Sequence, residues 1–501
     1  MSDSNMSERM RCKALEGRIT SAEEAAKFVD PNTVVGCSGF TPSGYPKVVP
    51  TALAKRAEAE GPIPITLWTG ASVGPELEEE LVRTHCTQRR FPYQTGEGIR
   101  KGVNEGKIQF ADLHLSHNAQ NLRYGFYGDV DVAIIEALAI TEEGHIIPTT
   151  SVGNSPVFVE LAKKVIIEIN HTQPLGLEGI HDIYSLKNPP HRKPIPITDV
   201  RDRIGTPWIP CDPKKIMAIV SSDVNDCQRA LAPADEISKK MAMNLLDFLS
   251  VEVTMGKLPK GLLPLQSGVG NVANAVLVGL QEWPVDGLTV YTEVLQDAVF
   301  DLLASGKVAF ASSTALTPSP DGAAKFYPRL HEFKDRVILR PQEISNHPEV
   351  IRRLGLIAMN TAVEVDIYGH VNSTMAGGTK MLNGLGGSGD FARNAYLTVF
   401  LCPSTSGKNK ISKIVPFCSH IDHTEHDVDI IVTEHGIADL RNLSPRERSA
   451  QIIEKCAHPD YKELLRDYKR RAEAEKGHEP HLLGEAFSWH QRLKETGTMM
   501  P

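Results

Sequence analysis

Gly287-Leu-Thr-Val-Tyr-Thr-Glu-Val-Leu-Gln-Asp297 decides the reading of this chain, because its β-rich start gives way after Glu293 to an apolar run that predicts a helix over 294–303. A carboxylate therefore stands at the carboxyl end of a strand, where open α/β sheets place their ligands. A second strand-to-helix junction lies upstream, Leu262-Leu-Pro-Leu-Gln-Ser-Gly-Val-Gly-Asn-Val-Ala-Asn-Ala275. Its glycines leave backbone N–H groups unencumbered above a helix start, a ready site for an anion. An acid of nucleophile size facing backbone donors is the main functional clue.

Outward from these two junctions, the same order of elements occurs twice. The first half reads strand Thr33-Val-Val-Gly-Cys-Ser-Gly-Phe40, helix from Pro50 and strand Ile65-Thr-Leu-Trp68; the second reads strand from Leu262, helix from Val272 and strand from Leu288. Both copies start from a Ser-Gly pair, Ser38-Gly39 and Ser267-Gly268, and both later end a strand in Gly-His, at Gly144-His145 and Gly369-His370. Strands alternating with helices predict parallel sheets with right-handed crossovers. The expected fold class is α/β: two similar, duplicated open α/β domains with mostly parallel sheets and the active site between the halves. The boundary is expected at 225/226, giving domains 1–225 and 226–501, with helices over 444–465, 468–475 and 482–496 covering the second. Only one copy carries the acid, since the first has Thr69-Gly-Ala-Ser72 where the second has Tyr291-Thr-Glu-Val294.

A chain of 501 residues, 41% of them apolar, can bury the cores of two or three domains. No stretch approaches the ~18 uninterrupted apolar residues of a membrane span. The acidic start, Met1-Ser-Asp-Ser-Asn-Met-Ser-Glu8, has no apolar signal region, so a cytoplasmic protein is expected. Its 54 basic and 62 acidic residues give a net charge of -8 without charge blocks, which leaves no footprint for nucleic acid or anionic lipid. Eight cysteines without a C-x-x-C pair argue against a disulfide framework or a thiolate metal site.

Other constellations pull in different directions. Gly268-Val-Gly-Asn-Val-Ala273 fits a dinucleotide fingerprint with Glu293 near the position of a ribose-binding acid, which keeps an NAD-dependent oxidoreductase in play. Asn383-Gly-Leu-Gly-Gly-Ser-Gly-Asp-Phe391 concentrates glycine where a backbone must approach a ligand closely, with Phe391 packing the loop. His420-Ile-Asp-His-Thr-Glu-His426 has metal-ligand residue types, but its flanks predict a loop between strands. It is read as a polar turn or a substrate-side wall, and no metal is expected. Lys47, Lys408 and Lys410 are candidates to meet phosphate.

Taken with Ser38-Gly-Phe-Thr-Pro-Ser-Gly-Tyr-Pro-Lys47 and Thr433-Glu-His-Gly-Ile-Ala-Asp-Leu-Arg441, these stretches resemble the class I coenzyme A transferases. Within them the chain is similar to the acetyl-CoA hydrolase/transferase branch, most closely to bacterial members that exchange CoA between succinate and acetate. The resemblance spans nearly the whole chain. It implies that Glu293 is a nucleophile that carries CoA as a glutamyl thioester, and that the backbone N–H groups of Val269 and Gly387 form the oxyanion hole. It also implies that Gln266, Ser267, Gly268, Val269 and Gly270, with Asn383, Gly386, Gly387 and Lys408, meet coenzyme A. Asn346 and Glu434 match auxiliary polar residues near the carboxylate. CoA, acyl-CoA and small carboxylates would be the substrates of a homodimer with no tightly bound cofactor. An acyl-CoA hydrolase using the same glutamate, the NAD enzyme and a non-catalytic CoA-binding protein are the alternatives.

Overall fold

In the computed structural model, which describes residues 3–228, 230, 233–268 and 270–501, the β-branched runs Val132–Ala137 and Lys164–Asn170 lie side by side in parallel and are almost wholly buried. Burial on both faces is what removes the polar alternation from such strands. They belong to a seven-stranded sheet whose spatial order is Gln109–Phe110, Thr87–Phe91, Ile65–Trp68, Thr33–Cys37, Val132–Ala137, Lys164–Asn170 and Ile216–Ser222. Every recorded pairing in it is parallel. The chain steps outward in one direction from Thr33–Cys37 and then in the other from Val132–Ala137, so a topological switch point lies between those two strands. Helix Val48–Glu60 packs on one face through Val49, Ala52, Leu53 and Ala57. On the other face, helix Ser155–Leu161 brings the Phe158 ring so close to Gly36 that a Cβ there would sit 2.6 Å from it, which is why the strand carries glycine.

By compactness the chain divides into Met1–Ala230 with Val290–Ala304 and Ala309–Leu354, and Leu231–Thr289 with Ser305–Val308 and Gly355–Pro501. In the second unit, Leu265–Ser267, Ile357–Thr361, Leu397–Leu401 and Ile430–Thr433 run parallel in that spatial order, and Gly436–Asp439 closes the edge antiparallel. Its switch point lies between Leu265–Ser267 and Ile357–Thr361, the counterpart of the one in the first unit. The two Gly-His pairs also occupy matching places. Ala139–Ile140 folds back on Ile146–Ile147 and Glu364–Asp366 on Val371–Asn372, with Gly144 and Gly369 supplying the positive φ of each hairpin turn. The fold is α/β with mostly parallel sheets in two domains, as the sequence predicts.

Three local expectations differ. The helix after Glu293 begins at Asp297 rather than at 294, because Val294–Leu295 instead pairs with Ala315–Leu316 as a short parallel strand. The helix expected over 444–465 is two, Pro445–Cys456 and Pro459–Ala474, broken where Pro459 cannot continue the ladder. The division by compactness falls close to 225/226, but 290–304 and 309–354, including Glu293, group with the first unit. Buried ion pairs tie them there: Arg340 to Asp182, and Arg123 to Glu343 with Nη2 2.7 Å from Oε1. Repeat order within the sequence carries no trace of such long-range partners.

Candidate active site

Glu293 sits in the break between Leu288–Tyr291 and Val294–Leu295. Its carbonyl oxygen accepts from Thr314 N (3.0 Å), Ala315 N (3.1 Å) and Ser313 Oγ (2.7 Å), so the backbone is fixed while the side chain is turned out of the ladder. Thr314 is itself held by the segment after the first Gly-His hairpin: Val152 N donates to Thr314 O, and Gly153 N to Thr314 Oγ1. The first half thus contributes the Thr149–Asn154 wrap, and its partner on the other side is Gln342, whose N donates to Gly153 O at 3.0 Å. One turn further along this short helix, buried Asn346 directs Nδ2 at Glu293 Oε1, 2.6 Å away.

The next residue, Val294, packs in an apolar cluster with Phe40, Ala71, Leu115 and Ala315, with Tyr93 alongside. Burial raises the Glu293 pKa to about 7, with the Asn346 hydrogen bond pulling the other way. The group is therefore divided between acid and carboxylate near neutrality. Its anionic form is partly desolvated and accepts a directional hydrogen bond from Asn346, as suits a nucleophile.

The second unit holds the other expected residues. Buried Gln266, in the middle of its strand, accepts from Met359 N (3.0 Å) through Oε1 and donates to Asn360 Oδ1 (3.3 Å) through Nε2, across the switch point. Ser267 Oγ donates to Gly268 O, and Gly268 N to Met359 O. Gly270, at φ 127°, is the N-cap of helix Asn271–Gly279 and, as glycine, brings no side chain to cap it. Val269 lies outside the described residues.

Gly386 takes φ 62°, and Gly387 is buried at the start of Ser388–Ala392, where its carbonyl accepts from Phe391 N. Phe391 is fully buried, so this glycine loop is packed, and Asn383 beside it is partly buried. Glu434 accepts from Ser404 N (2.9 Å) and Ser404 Oγ (2.6 Å). Lys408 is exposed in the turn between Thr405–Ser406 and Ile411–Ser412.

Lys47 is not available to phosphate. It is 1% exposed, with Nζ bonded to Glu136 and lying 2.9 Å from Asp226 Oδ1. Burial opposes its charge, but Asp226 and Glu136 outweigh burial and hold the ammonium protonated. The His420–His426 stretch is a polar turn: His420 pairs with Asp422, His423 Nε2 meets Ser388 Oγ at 3.2 Å, and Glu425 turns to His370. Sequence reasoning missed Asn360 and Ser404. Asn360 had a readable signal, a polar residue closing the apolar strand Ile357-Ala-Met-Asn-Thr361.

Residues 3–221 match the acetyl-CoA hydrolase/transferase N-terminal domain, and residues 322–469 the C-terminal domain of the same name. The chain is 52% identical over 493 residues to succinyl-CoA:acetate CoA-transferase of Clostridium kluyveri, covering 98% of this chain and 92% of the relative. It is 50% identical over 513 residues to acetyl-CoA hydrolase of Schizosaccharomyces pombe, covering 97% and 98%. Among solved structures, RipA from Yersinia pestis superimposes with a TM-score of 0.73 at 21% identity, over 93% of this chain and 98% of that one.

Proposed function

The chain belongs to the acetyl-CoA hydrolase/transferase family, and from that premise we propose that it moves coenzyme A between small carboxylic acids, succinyl-CoA and acetate giving acetyl-CoA and succinate. The observation that carries the reading is Glu293: a partly desolvated carboxyl group on a fixed backbone, with a pKa of about 7 and one directional donor. A Glu293 oxygen attacks the thioester carbonyl carbon, the C–S bond breaks, and CoA leaves as thiolate from an acyl-glutamyl anhydride. The thiolate then attacks the glutamyl carbonyl, the C–O bond breaks, and the first acid departs as carboxylate. A second carboxylate takes the resulting glutamyl-CoA thioester back through the same steps, so no net proton is consumed.

Each attack makes a tetrahedral oxyanion, for which the N–H groups of Val269 and Gly387 are the proposed donors. A lost donor is worth about 3–4 kcal/mol. Gln266, Ser267, Gly268 and Gly270, with Asn383, Gly386 and Lys408, are assigned to CoA, and Asn346 and Glu434 to the carboxylates. The steps draw only on the two substrates, without a tightly bound cofactor, and the working form is proposed as a cytoplasmic homodimer. Among the described residues no helix is long and apolar enough to cross a membrane.

The name of the fission-yeast relative favours a second reading, in which water replaces the acceptor carboxylate and acetyl-CoA is hydrolysed by the same glutamate. Initial rates with succinyl-CoA against a panel of acetate, propionate and butyrate separate the two. Transfer gives parallel double-reciprocal lines and acetyl-CoA in step with acetate; free thiol released at the same rate without any carboxylate contradicts it.

A further inference from the structure

The two Gly-His hairpins share a backbone, yet their histidines are used differently. His145 Nδ1 accepts from Cys211 N at 3.3 Å, and its ring stacks on Trp208. His370 instead has its Nδ1 on Asp366 Oδ2 at 3.0 Å, four residues back, where the first copy has Thr141. Asp366 is wholly buried, and its Oδ1 is held by the N–H groups of Tyr368, Gly369 and His370, each at 3.0 Å. With Nδ1 held by a fixed carboxylate, the ring is locked so that Nε2 faces outward. Carboxylate orientation of the far nitrogen is the usual outer support of a metal-ligating histidine.

Outward of Nε2 stand two more acids from distant parts of the second unit. Glu425 Oε2 is 2.9 Å away, and a ring nitrogen of His370, a Glu425 oxygen and a Glu479 oxygen all lie within 4.8 Å of one another. Three carboxylates thus face one imidazole. Arg448, the neighbouring guanidinium, spends Nη1 on the carbonyl oxygens of Glu425 (2.7 Å) and Val428 (3.4 Å).

We propose that His370, Glu425 and Glu479 form a binding site for a divalent transition-metal cation, with Asp366 orienting the histidine. One imidazole nitrogen and two carboxylate oxygens, with water completing the shell, suit Zn²⁺, Co²⁺ or Mn²⁺. On binding, the cation takes the place of the Nε2 proton, which leaves to solvent. The site joins the hairpin turn to the Glu425–Asp427 turn and to the segment between helices Pro459–Ala474 and Ser488–Thr496. The last of these helices already grips the same hairpin, through His490 Nε2 on Glu364 Oε2 at 2.8 Å. Its role is accordingly to fasten the C-terminal helices, apart from the chemistry at Glu293.

The test uses the full chain stripped with EDTA and titrated with Zn²⁺ by calorimetry and with Co²⁺ by absorbance, alongside Glu479→Gln and the double variant Glu425→Gln/Glu479→Gln. Wild type should bind one ion per chain, without a thiolate charge-transfer band. Zn²⁺ should raise its unfolding temperature. Glu479→Gln should bind at least about tenfold more weakly, and the double variant should show no thermal response while keeping its circular dichroism and its turnover. Absence of saturable binding by wild type, or equal binding by the double variant, overturns the site and leaves an ion-pair pin. Should the double variant misfold, Co²⁺ bound to wild type with thiolate bands would equally overturn it.

Discussion

At the junction between Thr33–Cys37 and Val48–Glu60, the helix start is filled from inside the protein. Glu168 accepts from the N–H groups of Lys47 (2.7 Å), Val48 (3.1 Å) and Val49 (3.1 Å), while Lys47 Nζ neutralises Glu136 and Asp226. At the junction between Leu265–Ser267 and Asn271–Gly279, the N-cap is Gly270, which brings no side chain of its own. The ladders show where the copies part. Glu136 pairs with Glu168 in the first sheet, and Asn360, at the matching step past the switch point, pairs with fully buried Phe400 in the second. Phe400 therefore stands at the ladder position where the first copy has the capping carboxylate Glu168. On the proposed function, substitutions at this first junction should change stability and those at the proposed site should change turnover.

The largest expected effect is on turnover. Glu293→Ala should lower it by about 10⁴-fold or more with the unfolding curve preserved. A variant keeping more than about a hundredth of wild-type rate breaks the assignment. Next comes the first copy: Lys47→Ala leaves Glu136 and Asp226 without their cation and should cost about 3–5 kcal/mol in denaturant unfolding. Turnover per folded molecule should stay near wild type; a specific loss would mean that Lys47 serves the reaction.

Gly387→Val tests the second copy from the other side. A side chain where backbone must approach the thioester should lower kcat by about 10²–10³-fold, and activity loss that merely follows unfolding would move the donor elsewhere. The smallest effect is a displacement along pH. With the carboxylate as the proposed attacking form, kcat/KM should fall below pH about 7. Asn346→Ala removes the group that favours that form, so its acid limb should move to higher pH; a limb that stays put would detach Asn346 from Glu293. The linked stability has the opposite sense. A carboxyl group whose folded pKa lies above its unfolded value contributes stability at low pH that is lost as pH rises through about 7, so Glu293→Gln should gain stability at pH 8 and none at pH 4.

Much of this was legible in the sequence because it is local. The repeated Ser-Gly and Gly-His pairs predicted two matching parallel folds, and the strand end at Glu293 predicted the position of the acid. Boundaries failed where local pattern was ambiguous: Val294-Leu295 is as apolar as a helix start, and only Ala315–Leu316 makes it a strand. Pro459 is a local signal for the break between Pro445–Cys456 and Pro459–Ala474. Lys47 shows the deeper limit, since a lysine beside glycine and proline suggests phosphate until Glu136 and Asp226 are brought to it from far along the chain. The Phe400 exchange is equally invisible without the ladder register.

The central claim is that CoA passes through a covalent bond to Glu293. The enzyme incubated with succinyl-CoA in the absence of an acceptor carboxylate, treated with borohydride and digested should give a peptide in which the Glu293 carboxyl group has been reduced to a primary alcohol, with activity lost in proportion. Full activity after the same treatment, with the Glu293 peptide unmodified, would contradict the account.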